Sequence, residues 1–266
     1  MKAFFLSIAV FLASSLRISP EYAETISIKD TSEIVTSFNQ EVTEYTINPD
    51  LKILKASSNS NGNVNWWEYP ENMKPAIRDG DDLLVLVNKE YYLPGDYVPS
   101  DLVSASLSGI RRGSSYQLRN ILIPDLTQMV NDAKNDGVDL SIVSGYRSYS
   151  TQVATWNYWE GINGVAGADK ISARAGHSQH QLGTAIDFST NEINDGLSGS
   201  FAGTHAASWL AANAWKYGFV ISYPQGYETV TGYSYEAWHY RYIGKANAQE
   251  MHDSGMIEEI YLQTKN

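Results

Sequence analysis

A chain of 266 residues is long enough to bury one sizeable core and to carry a smaller N-terminal piece, and its 43% apolar and 18% charged residues exclude wholesale disorder. A formal charge of −11, with no basic run longer than Arg111-Arg112, excludes a broad basic face for nucleic acid or an anionic membrane. The lack of any cysteine excludes disulfides, thiolate metal sites and thiol catalysis.

In chain order, Lys2 precedes an uncharged, mostly apolar run from Ala3 to Leu16, closed by Arg17. The run is short for a bilayer span and suits the core of a signal peptide over residues 1–23. Cleavage after Ala23 would place Glu21 where a small residue is preferred, so a short uncleaved anchor is the alternative. Residues 24–75 lack a clear period and are read as an N-terminal extension of unknown role. Ser57 to Gly62 is a turn-rich stretch, and Trp66-Trp67 is a packing patch or, alternatively, a substrate contact. No internal repeat is present, which argues against a solenoid.

A compact domain is expected over 76–266. Leu83 to Val87 is a short apolar run that predicts a buried strand, and Pro94-Gly95-Asp96 a turn. A helix is predicted from Leu122 to Asn135, with Pro124 in its first turn and Leu126, Met129, Val130 and Ala133 on one face. Val138 to Val143 follows as a strand. Further helices are predicted at Ser150–Glu160 and His205–Tyr217, and strands at Phe219–Ser222 and Trp238–Ile243. Interleaved helices and strands without strict βαβ alternation predict an α+β fold, with a central, largely antiparallel sheet flanked by helices.

The five histidines are His177, His180, His205, His239 and His252. In the segment Ser178-Gln179-His180-Gln181-Leu182-Gly183-Thr184-Ala185-Ile186-Asp187, Gly183 permits a bend. Strand alternation then places Asp187 on the face opposite Ile186 and Phe188, beside His180 rather than in the core. An imidazole and a carboxylate are two of the three protein ligands of a catalytic zinc. His239 is the natural third, on a strand where Trp238, Tyr240 and Tyr242 take the other face. Glu236 lies three residues before His239, so a turn or bulge near Ala237 is needed to bring its carboxylate to the same side. There it would take a proton from the attacking water and pass it to a leaving amine.

Arg147 follows a predicted strand and precedes a helix, where binding groups collect, and its guanidinium suits a bidentate grip on a terminal carboxylate. Gln152, early in the next helix, would add a polar contact. His177 is either a neighbour of the site or an exposed residue. His205 and His252 read as ordinary helix residues, and Glu192 and Asp195 as members of a solvated loop. Ser-x-x-Lys, Gly-x-Ser-x-Gly and His-Glu-x-x-His are all absent, which removes those hydrolase classes at motif level.

Three segments together, Ser144-Gly145-Tyr146-Arg147-Ser148-Tyr149, Ser178 to Asp187 and Glu236-Ala237-Trp238-His239-Tyr240, resemble the VanY-type D-alanyl-D-alanine carboxypeptidases. These belong with the lysostaphin-type and hedgehog-type zinc folds. The resemblance runs over roughly residues 80–262, with the motifs in the family's order. It implies Zn2+ held by His180, Asp187 and His239, with Glu236 as general base. It also implies substrate contacts from Arg147 and Gln152, with Ser178 bordering the site. Many relatives carry Glu where this chain has Gln179, a departure that would alter local charge. The implied substrate is a peptidoglycan stem peptide in the cell-wall or periplasmic space, with D-Ala-D-Ala hydrolysis as the reaction. An L,D-carboxypeptidase, an endopeptidase or a non-catalytic wall-binding protein are the alternatives on the same scaffold. Neither nucleic acid nor a membrane span after signal removal is expected, and oligomeric state is open.

Overall fold

The computed structural model describes residues 65–266. The expected signal segment and residues 24–64 of the extension lie outside the described residues. Residues 65–75 already contact the domain: Tyr69 Oη lies 3.0 Å from Tyr233 Oη, and Lys170 sits over the ring of Trp67. No helix among the described residues is long and apolar enough to cross a membrane.

Two short strand pairs come first in the chain. β1 (Lys74–Pro75) pairs parallel with β2 (Tyr91–Tyr92), and β3 (Leu102–Ser104) pairs antiparallel with β4 (Gln117–Arg119). The central sheet contains β5 (Ser141–Ser144), β6 (Ala185–Ser189), β7 (Phe219–Ile221) and β8 (His239–Tyr242), in the order β5-β6-β8-β7. Every neighbouring pair is antiparallel, so the α+β architecture with an antiparallel sheet is as expected from the sequence.

Period-two alternation divides this sheet chemically. Ile186 and Phe188 of β6 and Tyr240 and Tyr242 of β8 face the main core. There they meet Leu126, Met129 and Ala133 of α1 (Ile123–Asn135) and Ala206 and Leu210 of α3 (His205–Asn213). Asp187 and His239 take the opposite face. A second core joins Val220 and Leu86 to α5 (Lys245–Ser254) and α6 (Glu258–Gln263) through Ala248, Met251, Tyr261 and Leu262. The short α4 (Glu228–Thr231) lies between β7 and β8.

Several elements depart from the sequence expectation. Leu83 to Val87 is buried at Val85, Leu86 and Val87 but forms no strand. Its backbone is satisfied otherwise: Asp82 accepts from the amides of Leu84 and Val85, and the Arg241 guanidinium donates to the carbonyls of Leu83 and Val85. The helix expected at 150–160 is the first part of α2 (Tyr149–Ile171), capped by Ser148 Oγ accepting from the Thr151 amide; α2 is two helical stretches that meet in a kink at Gly164, whose φ of 67° and ψ of 170° are not helical. The helix expected at 205–217 is α3 followed by a 3-10 turn over Ala214–Tyr217.

Glu192 and Asp195 are also not simply solvated. Glu192 accepts from the amides of His205 and Ala206 at the start of α3, where a carboxylate complements the helix dipole. Asp195 pairs with Arg111 and accepts from Ser141 Oγ at 2.8 Å, which ties its loop to β5.

Candidate active site

Sheet register brings the key side chains together. Asp187 is directly opposite His239 in the β6–β8 pair, and Ser144 is opposite Asp187 in the β5–β6 pair, after an irregularity next to Ile142. His180 enters from the 3-10 turn Gln179–Leu182, which Ser178 caps by accepting from the His180 amide. Gly183 closes that turn at φ 68°, in the left-handed region. A turn from Glu236 to His239, closed by the His239 amide on the Glu236 carbonyl at 3.3 Å, supplies the reversal expected near Ala237. It leaves Glu236 Oε2 3.8 Å from His239 Nδ1.

His180, Asp187 and His239 each present a ligand atom, and these atoms lie within 4.8 Å of one another. His180 Nε2 is 3.2 Å from Asp187 Oδ2, and His239 Nδ1 is 2.9 Å from Asp187 Oδ1. Tetrahedral zinc with bonds of about 2.0–2.2 Å places its ligands roughly 3.4 Å apart, so the residues fit that ion. The remaining ring nitrogens fit as well. His180 Nδ1 is 2.8 Å from the Gly145 carbonyl, and His239 Nε2 is 3.0 Å from Gln179 Oε1. Each partner is an acceptor, so the proton sits on the outer nitrogen and the inner lone pair is free for a metal. Gly145 is itself constrained: a Cβ there would lie 2.6 Å from the Gln117 carbonyl.

Burial pushes His180 down to about 4, with Arg147 acting the same way against Asp187, so its ring is neutral at pH 7. Burial alone would raise Asp187, but His180 and His239 outweigh it and hold the carboxylate ionised. For His239, burial is opposed and exceeded by the Asp187 and Glu236 carboxylates, which raise it. Burial pushes Glu236 up to about 7; Asp187 adds to this, while His239 and Arg147 oppose it. A carboxyl near neutrality, beside a candidate metal site, is suited to accept and return a proton.

These groups open into a cleft of about 300 Å³ that also receives Arg147, Ser178, Tyr223 and Trp159. The Arg147 amide donates to the His180 carbonyl at 3.1 Å, fixing the loop against the turn that carries His180. Its guanidinium makes no ion pair among the described residues; it contacts Ser178 Oγ at 3.5 Å, and its buried Nε has no partner there. Burial lowers its pKa, and the Asp187 and Glu236 carboxylates partly offset this.

Gln152 is fully buried and does not line the cleft. Its amide donates to the Ala173 carbonyl at 2.5 Å and approaches Ser172 Oγ at 3.4 Å, holding a segment that does line it. His177 is buried, with Nδ1 2.8 Å from the Asn88 carbonyl. Sequence reasoning passes over Tyr223, whose ring lies 4.9 Å from that of His239 at 34°. The available signal is its position two residues beyond β7. It passes over Gln179 as a partner of His239 as well, because that contact depends on the fold of the turn.

A buried set of two histidines and one aspartate with a neighbouring carboxyl near neutrality, on an antiparallel α+β scaffold, defines the class of mononuclear zinc peptidases. Residues 115–245 match the VanY family, D-alanyl-D-alanine carboxypeptidase. The chain is 38% identical to YodJ of Bacillus subtilis (strain 168), a putative carboxypeptidase by name, over 189 residues, 70% of this chain and 69% of that protein. It is 30% identical to a D-alanyl-D-alanine carboxypeptidase of Enterococcus faecalis (strain ATCC 700802 / V583), covering 74% of each. Among solved structures it is similar to the LD-carboxypeptidase LdcB, with a TM-score of 0.65 and 32% identity over 78% of this chain and 97% of that one. It is also similar to VanYB in complex with D-alanine-D-alanine, with a TM-score of 0.58 and 28% identity over 69% of this chain and 98% of that one. The chain belongs to the VanY D-alanyl-D-alanine carboxypeptidase family of zinc peptidases.

Proposed function

We propose that this chain is an exported D,D-carboxypeptidase that hydrolyses the C-terminal D-Ala-D-Ala bond of peptidoglycan stem peptides. The observation that carries this reading is Arg147: a half-buried guanidinium with a buried Nε, facing the candidate metal-site cleft, with no carboxylate paired to it among the described residues. Such a group favours a substrate that brings a carboxylate, as a C-terminal residue does, over an internal peptide segment. A descendant that only bound cell wall would be expected to lose a ligand or the base, and here His180, Asp187, His239 and Glu236 are all present.

His180 Nε2, Asp187 and His239 Nδ1 would hold Zn2+, which when bound supplies a Lewis acid for the scissile carbonyl and lowers the pKa of the attacking water. Glu236 takes the proton from that water and returns it to the leaving amine. Arg147 fixes the terminal carboxylate, which places the last peptide bond beside Glu236. The Tyr223 phenol, raised well above its ordinary value by burial and by the Glu236 carboxylate, stays protonated and is a neutral donor in the cleft. Residues 1–23 are proposed as the export signal and 76–266 as the catalytic domain, against which residues 65–75 pack.

An L,D-carboxypeptidase acting on tetrapeptide stems is the second reading, favoured by the similarity to LdcB and to the L,D-carboxypeptidase DacB, the latter with a TM-score of 0.52 and 34% identity. Mass spectrometry of purified stem peptides, with and without chelator, separates the two. Chelator-sensitive loss of D-Ala from the pentapeptide supports the D,D reading; loss from the tetrapeptide alone replaces it with the L,D reading. No cleavage of either peptide by the zinc-loaded protein rejects both.

A further inference from the structure

Gln179 occupies a position that the hydrolytic scheme does not use. It is 5% exposed, and each of its contacts is with another buried group. Its Oε1 lies 3.0 Å from His239 Nε2 and accepts from Ser222 Oγ at 2.8 Å. Its Nε2 donates to Glu258 Oε1 at 3.1 Å, and the same oxygen accepts from Arg241 Nη1 at 3.2 Å. Glu258 and Arg241 are 1% and 0% exposed. Arg241 in turn donates to the carbonyls of Leu83 and Val85. A buried relay therefore runs from a candidate metal ligand on β8 through α6 to the non-strand segment that precedes β2.

The direction of each bond in this relay is set by chemistry. For His239 to offer Nδ1 to a metal, Nε2 must carry the proton and needs an acceptor. Gln179 Oε1 is that acceptor. The amide can present this oxygen only if its NH2 group faces the other way, where it meets the carboxylate of Glu258. Glu258 thus orients the amide, and the amide orients the imidazole. The amide at 179 also matters for charge. A glutamate there would set two carboxylate oxygens, both acceptors, about as close as the present 3.1 Å contact in a buried site.

We propose that Gln179 is a positioning residue that fixes the tautomer and tilt of His239 for the metal, with Glu258 as the group that orients Gln179. The proposal rests on the reading that His180, Asp187 and His239 hold zinc. It makes residues 179 and 258 a matched pair in which one amide and one carboxylate are required. Exchanging the two side chains keeps one amide and one carboxylate in the pair. A carboxylate at position 179 would accept from His239, Ser222 and the amide nitrogen then at position 258, while Arg241 Nη1 would lose the oxygen that it now shares with Gln179 Nε2.

Zinc affinity, read by competition with a chromophoric chelator, tests this without reference to turnover. Wild type, His239→Ala, Gln179→Met, Gln179→Glu and the exchange variant Gln179→Glu/Glu258→Gln are compared in full-length form. Gln179→Met, which removes the partner of a ligand histidine, is expected to bind zinc about 10–100-fold more weakly, and Gln179→Glu, which keeps an acceptor for His239 but loses the donor to Glu258, to bind it measurably more weakly than wild type. The exchange variant, which restores a donor at position 258, is expected to recover part of the loss seen in Gln179→Glu. The visible spectrum of the cobalt-loaded protein should change in the single variants and return in the exchange variant, which a purely packing role would not produce.

Wild-type affinity in Gln179→Met, with zinc binding abolished by His239→Ala, would overturn the proposal and leave the metal site standing. Zinc binding unaffected by His239→Ala would instead remove the metal reading and the proposal with it. If Gln179→Met fails to fold, the comparison of Gln179→Glu with the exchange variant decides, and equal affinities overturn the pairing.

Discussion

Asp187 and His239 face each other across β6 and β8, with His239 Nδ1 2.9 Å from Asp187 Oδ1. Strand pairing alone thus delivers two of the three candidate ligands, and the rigidity of a central sheet limits their relative movement. Asp187→Asn removes the only anionic member of the proposed ligand set while keeping the side chain's size. It should weaken zinc binding by more than about 100-fold, exceeding the loss typical of a ligand's hydrogen-bond partner. Metal content after dialysis against a weak chelator measures this; full zinc retention would remove Asp187 from the ligand set.

Glu236 is partly buried and is pushed up to about 7 by desolvation. Glu236→Gln should retain zinc and lower kcat by about 10²–10⁴-fold, the range for a lost general base. As the proposed base, Glu236 must be ionised, so activity should rise with pH through the Glu236 value. Bound zinc, as a nearby dication, should bring that limb below 7.

Because Glu236 is raised in the folded state, the metal-free protein binds an extra proton between the unfolded value of 4.5 and about 7. Stability from this group is fully present below 4.5 and is lost as pH rises through 7, by an amount on the order of 3 kcal/mol. Metal-free Glu236→Gln should therefore melt above metal-free wild type at pH 8, with the difference vanishing towards pH 4.5. Equal melting temperatures at pH 8 would contradict a carboxyl whose ionisation is opposed by burial.

Arg147→Ala should lower kcat/KM by about 10–100-fold on peptides with a free C-terminus, matching the worth of a charged hydrogen-bonded contact. C-terminally amidated peptides should be equally poor substrates for both proteins. Lysine should rescue little, because the two-pronged geometry is lost. An equal fall on free and amidated substrates would assign Arg147 to structure instead.

Gly183 closes the turn that carries His180 at φ 68°, and a Cβ there would lie 3.0 Å from Arg119 Cγ and Leu102 Cδ2. Gly183→Ala should cost about 1–2 kcal/mol from the left-handed conformation alone. That corresponds to a fall of about 2–8 °C in Tm for a domain of this size. Calorimetry of the metal-free protein checks it.

The sequence by itself determined the chemistry and most of the scaffold. Alternation along Ala185–Ser189 and His239–Tyr242 assigns Ile186, Phe188, Tyr240 and Tyr242 to a core face and Asp187 and His239 to the other, because strand geometry is local. Helix α1 is legible from its proline, its apolar face and its Asp-Gly stop for the same reason. Only the tertiary structure decided features that depend on partners distant in sequence. Leu83–Val87 looks like a strand, yet its carbonyls are taken by Arg241, which lies more than 150 residues away. Gln152 looks like a cleft residue from its place early in α2, yet its amide turns inward to Ala173. Gln179 is one polar residue among several in its segment, and only the folded turn sets its amide between His239 and Glu258. Side-chain hydrogen bonds across the fold follow no period in the chain, and these residues acquire their roles only when the sheet and α6 come together.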